Sequence, residues 1–546
     1  MKQNSHTQLF ITILTLVVFS VACTGVTNEI VTVEEAEAPS ETENFQLQDM
    51  INEAIVDETI ISEEVATVPG YAPEGTLQIA HPSNHVTWDP HKDQRTASLQ
   101  YLNPVFEGLL RESNDGRSFI AELATGWVED EAGVTFTLRE GVTFHDGTPF
   151  DAEVVVANFN RVKEVGHNVY KGLLRNVASV EAIDALTVRY HYSRFDGTVL
   201  LTLSRFAGKM ISPAAFATVH EGNPIGTGPY IYNAETSALD NTFKVYDFNP
   251  TYWNNLTQPV ARVELTHLTD GATTLNGLYT ETFHTIAVST ITQLNQVIAD
   301  GYSISRQPAF GWSVHILDRH GVIIPELADE RVRMAMNYAI DRDALSQIFN
   351  GGQRTTQFAL PGGYAFADDI EDLHFDMEKA MALMAEAGNP ALSIDVPTTG
   401  ILNARNAFLA SSWEPLGITL NIIPVNNIFA GCTQAEGRFP VALCPINERH
   451  IKHFVENRLL EKGFLNPFNH VDEKINALYA EAAYLSLDEA EPFYAEIVKI
   501  SAEQGYVLYM GWSASPIAYD PERISGVEAR FIYPATYHIG YIDLLE

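Results

Sequence analysis

Four short constellations in this 546-residue chain carry side chain types that could do chemistry. Cys432 and Cys444 enclose a loop of eleven residues, and they are either a disulfide or two buried thiols. Glu448-Arg449-His450-Ile451-Lys452-His453 sets two imidazoles three apart, one face of a helix and a hold for a soft divalent metal. Arg449 and Lys452 would repel a cation there, so an exposed polar loop or helix face without metal is expected. His145 beside Asp146 suggests a general base, but no nucleophile motif accompanies it, and Phe144-His145-Asp146-Gly147-Thr148-Pro149 has the chemistry of a tight turn before a helix opened by Asp151. Gly226-Thr227-Gly228-Pro229 offers free amides as phosphate loops do, but lacks their lysine and spacing, so it is expected to be a turn between domains. No Gly-x-Ser-x-Gly elbow, no His-Glu-x-x-His and no Ser-x-x-Lys with its companion motifs occurs, so an enzyme is not expected.

Composition narrows the classes further. A chain this long needs several domains. With 46% hydrophobic and 10% aromatic residues it is a globular protein and not a disordered one. Lys and Arg total 33 against 70 for Asp and Glu, a net charge of -37, which repels phosphate backbones and speaks against nucleic acid. Three cysteines are too few for a disulfide scaffold or a four-thiolate zinc site.

From Leu9 to Ala22, eleven of fourteen residues are hydrophobic, with Lys2 ahead of them. That run is short for a membrane span and is expected to be an export signal. It ends Ser20-Val21-Ala22-Cys23, which resembles a bacterial lipoprotein signal cleaved before a lipidated Cys23, although Ser20 stands where an aliphatic residue is usual. Residues 24–74 hold thirteen acidic side chains and no Lys or Arg, an expected extended tether. Outside the cytoplasm an oxidising compartment favours pairing of Cys432 with Cys444.

The elements that must position these residues begin near Gly75. Thr76-Leu77-Gln78-Ile79-Ala80 alternates as a strand does, as do Val134, Phe136 and Leu138, and Leu186, Val188, Tyr190 and Tyr192. Asp329, Asp341 and Asp376 are expected helix caps, Gly388 a helix stop, and Ile418 to Val425 a strand. This mixture predicts an α/β (mixed α+β) architecture.

Several segments recur in a familiar order: Thr87-Trp88-Asp89-Pro90; Val105-Phe106-Glu107-Gly108-Leu109-Leu110; Phe136 to Phe150; Gly226-Thr227-Gly228-Pro229-Tyr230; Asn249-Pro250 with Tyr252-Trp253; and Arg331 to Met336 leading to Ala339-Ile340-Asp341-Arg342. Together they resemble the family 5 extracellular solute-binding proteins of ABC transporters, the peptide/nickel-binding class, from about residue 76 to 530. The resemblance implies a two-lobed periplasmic-binding-protein-like type II fold with three domains and a hinge. Its expected parts are signal 1–23, tether 24–74, domain I from 75–108, 223–309 and 506–546, domain II from 109–222, and domain III from 310–505. It implies a monomer without cofactor or metal, lipid-anchored outside the cytoplasm on the periplasmic or cell-surface side, passing peptides or a similar organic solute to permease subunits. By the same analogy the ligand would be lined by His85 and Trp88 after the first strand, by Phe310 and Trp312 where domain III starts, and by Asn447, Arg449 and Trp512. The family's usual Asp, Gly-Trp and Asp-Pro are not recognisable between Phe439 and Asn466, which leaves the solute class open. A sensor of the same fold and a secreted hydrolase are the alternatives.

Overall fold

The structure, a computed structural model, describes residues 73–113, 118–254, 260–346, 352–361, 363–370, 373–426, 432–433, 439–446, 448, 450–529 and 536–545. The expected signal, Cys23 and the tether as far as residue 72 lie outside the described residues, as do Asn447 and Arg449.

Strand Thr76–His81 forms where its alternation places it and becomes the middle of a seven-stranded sheet. It lies parallel to Arg262–His267 on one side and to Thr285–Ala287 on the other. A parallel neighbour requires a long crossover, and here that crossover contains a second sheet. Ala124–Asp130, Gly133–Leu138, Thr187–Tyr192 and Val177–Asp184 form a four-stranded antiparallel sheet, covered by helix Ala152–Val165. Its inward positions Val134, Phe136, Val188 and Tyr190 are buried. Asp151 caps the helix by accepting from the Val154 amide.

Pro308–Ile316 starts a separate three-stranded sheet, flanked by antiparallel Val441–Ile446 and Val507–Ala514. Every residue of the latter two strands is buried, so both faces of this sheet are covered. The expected helices surround it. Asp329 caps Glu330–Tyr338 and Asp376 caps Met377–Glu386, each accepting from a backbone amide. Ile418–Pro424 pairs in parallel with Leu392–Thr398.

Buried apolar side chains separate into two large cores. One draws on residues from Leu77 to Leu265 together with Ile517 to Ile542, the other on residues from Trp312 to Trp512. The chain passes between them twice, from Ser305 to Pro308 and from Ala514 to Ile517. Two cores joined by paired strand crossings are the two lobes and hinge of the expected fold class.

Cys432 and Cys444 are joined by a disulfide, buried beside Leu317, Ala442 and Leu465. Closing so short a loop restricts the unfolded chain by about 3 kcal/mol on the chain-entropy model. Reduction should therefore lower the melting temperature by a few degrees, and a Cys432→Ser, Cys444→Ser double variant should melt at that lower temperature with or without reductant. Scanning calorimetry checks it; identical melting of oxidised and reduced wild type would contradict it.

Candidate functional site

The crossings define where a site between the lobes must lie. Ile517, the first residue after the return crossing, pairs with both Ala287 and Ser305. Ala80 pairs with Ile286 in the adjacent register, so Thr76–His81 ends at the edge of the sheet through which the chain leaves and re-enters the first lobe. The loop following His81 therefore faces the second lobe. His81 Nδ1 and the Tyr101 hydroxyl both approach the Ser83 carbonyl at 2.7 Å, and Asn84 Nδ2 donates to the Asn241 carbonyl at 2.7 Å. The His85 ring lies 4.3 Å from Trp88 and 5.3 Å from Tyr101, and Trp88 lies 4.3 Å from Tyr232. Trp88 itself is 5% exposed and packs into the first core. Burial, then the nearby Lys244 and Arg95, lower the His85 pKa to about 3, so its imidazole is neutral at pH 7. Its Nδ1 faces Asn84 Oδ1 at 3.0 Å, which leaves Nε2 as an acceptor.

Phe310, Trp312 and Trp512 gather on the other side of the crossings, because Pro308–Ile316 and Val507–Ala514 pair Gly311 with Trp512 and Trp312 with Gly511. Trp312 donates through Nε1 to Ser513 Oγ at 3.2 Å, and the Arg405 guanidinium stands 4.1 Å over its ring. Trp312 and Trp512 are mostly core, while Phe310 is half-buried. The structure thus places His85 with Trp88 in one group and Phe310, Trp312 and Trp512 in another, each beside the crossings. Lys244 and Arg405 belong with these groups and were missed from sequence. Nothing in the local sequence pattern marked either of them.

A second meeting of the lobes corrects the sequence expectation for His450 to His453. The segment is not an exposed polar face: His450 and Lys452 are buried. Lys452 Nζ donates to Asp196 Oδ1 at 2.7 Å and to the Ala483 carbonyl at 2.8 Å, and both charged side chains are at most 3% exposed. Asp196 also accepts from Asn176 and Thr198. Burial pushes the Asp196 carboxyl upward, but Lys452 and these donors outweigh it and hold it below the usual range. Around this pair, Arg175 meets Glu456 at 2.6 Å, Thr198 faces His453 at 3.5 Å, and Arg194 lies over the Tyr484 ring. Residues 175–198 belong to the first lobe and 452–484 to the second. His450 Nδ1 accepts the Lys452 amide and caps helix Ile451–Arg458, which is not free for metal. Among the described residues no group of three or more His, Cys, Asp and Glu is placed to hold a metal ion.

The remaining motifs are structural. His145 donates its backbone amide to Gly226 and sets Nε2 2.9 Å from the Gly228 carbonyl, tying the turn to the Gly-Thr-Gly-Pro segment. A Cβ on Gly226 would lie 2.0 Å from the Val105 carbonyl oxygen and one on Gly228 2.4 Å from that of Pro104, so these glycines serve close packing and not anion binding. Thr227 between them donates to Glu107, which also accepts from Tyr252 and Trp253. Glu107 borders a cavity of about 50 Å³ in the first lobe, room for a few waters and far too small for a peptide. Burial, reinforced by Glu122, raises its pKa to about 7. Ser313 Oγ lies 2.8 Å from His315 Nε2, a nucleophile-base spacing, but both side chains are fully buried and Nε2 also accepts from Arg458. With its Nε2 already engaged by the Arg458 guanidinium, His315 has no lone pair left to take a proton from Ser313. Among the described residues no helix is long and apolar enough to cross a membrane.

Two lobes joined by two strand crossings define a fold of the periplasmic-binding type. The chain belongs to the bacterial extracellular solute-binding proteins, family 5, whose middle region matches residues 118–447. It is 28% identical over 340 residues to a glutathione-binding protein, GsiB, of Salmonella paratyphi A, covering 60% of this chain and 64% of that relative. The chain thus spans just under two thirds of the curated relatives it matches. HbpA2 from Haemophilus parasuis superposes with a TM-score of 0.74 at 20% identity, over 86% of this chain and all of the other. DppA from Helicobacter pylori, in complex with the peptide STSA, gives 0.70 at 17% identity over 87% and 99%. At these identities the two structures speak for the fold.

Proposed function

We propose that the protein is the extracytoplasmic solute-binding subunit of an ABC importer, a monomer tethered through a lipidated Cys23. It captures a peptide or similar organic solute between its lobes and hands it to the permease. Domain I would comprise 75–108, 223–309 and 506–546, domain II 109–222 and domain III 310–505. The observation that carries this reading is the pair of side-chain groups, His85 with Lys244 and Trp312 with Arg405, set on opposite lobes beside the only two chain crossings among the described residues. A solute touching both walls binds the closed arrangement better than the open one and shifts the population by that difference. The closed form is the signal a permease reads.

Thermal-shift screening of the delipidated protein against peptides, oligosaccharides and nickel tests the assignment. Stabilisation by short peptides is expected; no stabilisation by any of the three counts against uptake. A sensor of the same fold would pass this screen, and is separated by whether membrane vesicles holding the permease accumulate the solute. Hydrolysis of the stabilising peptide by the purified protein would favour the secreted hydrolase instead.

A further inference from the structure

We propose that Lys244 receives a carboxylate of the captured solute at the first-lobe wall of the cleft. The proposal rests on the solute-binding assignment and adds to it the chemical class of the group recognised.

Lys244 lies on strand Phe243–Phe248, where alternation puts it on the same face as Tyr246, which packs against Trp88 at 6.3 Å. It has no exposed surface. An ammonium carries three donors, yet among the described residues this one has a single partner, the amide oxygen Oδ1 of Asn241 at 2.5 Å, and no carboxylate within ion-pair distance. Asp240 next door assists only at a distance and is itself solvated. Burying an ammonium without an anion is unfavourable, because the lost hydration is not replaced by an opposite charge. Lys452, buried where the lobes meet, shows what satisfaction looks like: it donates to both a carboxylate and a carbonyl. Asn241 is held in the left-handed region, at φ 64°, while its carbonyl is engaged by Asn84 and its side chain by Lys244.

The surroundings match an anion. Lys244 and Arg95 both act on His85 and help to keep it neutral, so the local field is positive in a chain of net charge -37. Burial lowers the Lys244 pKa to about 8, which leaves most of it charged at pH 7. The Lys244 ammonium, the neutral His85 acceptor and the Trp88 and Tyr101 rings are together a place for one carboxylate of a small amphiphilic molecule, such as the C-terminus of a peptide.

Three measurements on the mature chain decide it. In isothermal titration with alanyl-leucine and its C-terminal amide, the acid should bind wild type roughly 10- to 100-fold more tightly, the worth of a charge-assisted hydrogen bond. Lys244→Met should abolish that ratio and Lys244→Arg should keep part of it. Lys244→Met should also raise the melting temperature of the free protein, because it removes an uncompensated buried charge; a lysine retained for the fold would lower it. In protein carrying ¹³C-methylated lysines, the Lys244 resonance should titrate near pH 8 and move upward on adding alanyl-leucine. Equal binding of acid and amide, or an undiminished ratio in Lys244→Met, overturns the carboxylate assignment while solute binding stands. A Lys244 midpoint that no carboxylate shifts, acetate included, overturns it even where the protein responds to sugars. No response to any solute overturns the binding assignment itself.

Discussion

Lys452→Met should weaken solute binding by roughly 100-fold or more while leaving the free protein's melting temperature close to wild type. Asp196 and Lys452 are buried against each other only because the lobes touch there, residues 175–198 on one side and 452–484 on the other. With the lobes apart, water solvates both charges. In the variant, closing would bury the Asp196 carboxylate with no cation beside it, at a cost of about 3–5 kcal/mol. That cost falls on the closed state alone, so it appears as lost affinity of about 10²- to 10³-fold. Asp196→Asn in the Lys452→Met background removes the stranded charge and should restore much of the affinity. Isothermal titration gives the affinities, and small-angle scattering should show a more open solute-free variant. Unchanged affinity together with an unchanged radius of gyration would show the contact to be idle.

Acid should destabilise the protein steeply between pH 6.5 and about 4.5, because three core histidines are held neutral. His91 Nδ1 faces the Arg161 guanidinium at 3.0 Å, His315 Nε2 faces Arg458 at 2.9 Å, and His450 Nδ1 accepts the Lys452 amide. In each, protonation would turn an acceptor into a second donor against an N–H. Burial, followed by Arg161, lowers the His91 pKa to about 4; burial and Arg458 take His315 well below its ordinary value, and burial with His453 does the same to His450. Folded pKa values below that of the unfolded chain mean that unfolding takes up protons beneath pH 6.5, so stability is present above it and is lost as the pH falls. Glu107 acts the other way, since its raised pKa makes the folded state the better proton acceptor between about 4.5 and 7. His85, His453 and His470, lowered by burial to about 3, 4 and 3, add to the loss, and Glu129, raised by burial, joins Glu107 in offsetting part of it. Each net proton taken up on unfolding costs about 1.4 kcal/mol per pH unit, against a total stability of about 5–15 kcal/mol. The melting temperature should drop by about 5–10 °C from pH 6.5 to 4.5, on the usual entropy of unfolding for a chain this long. A flat profile over that window would mean that these imidazoles are hydrated in the folded protein.

How much of this was legible follows the range over which each feature is determined. The Asp151, Asp329 and Asp376 caps, the strands at Thr76, Gly133 and Thr187, and the stop at Gly388 are set by neighbours within a few residues, and the sequence spoke for them directly. The ordered family motifs carried the fold class. What escaped was decided by distant partners. Lys452 is buried because Asp196, 256 residues earlier, meets it, so a segment that reads as a charged surface becomes a lobe contact. Val507–Ala514 joins the second sheet because Pro308–His315 offers an unpaired edge, and nothing in its own residues says so. Lys244 sits in a strand pattern that any exposed lysine would satisfy; only its missing anion distinguishes it.

The unequal make-up of the two cores also dictates an order of biogenesis. The second is complete within one uninterrupted stretch ending at Trp512, whereas the first must wait for residues 517–542 to emerge. A chain threaded amino end first through a secretion channel would therefore finish its later half before its earlier one. Until then the initial sheet, lacking the strand Ile517–Tyr519 between Thr285–Ala287 and Ser303–Ser305, would be the segment most in need of a chaperone.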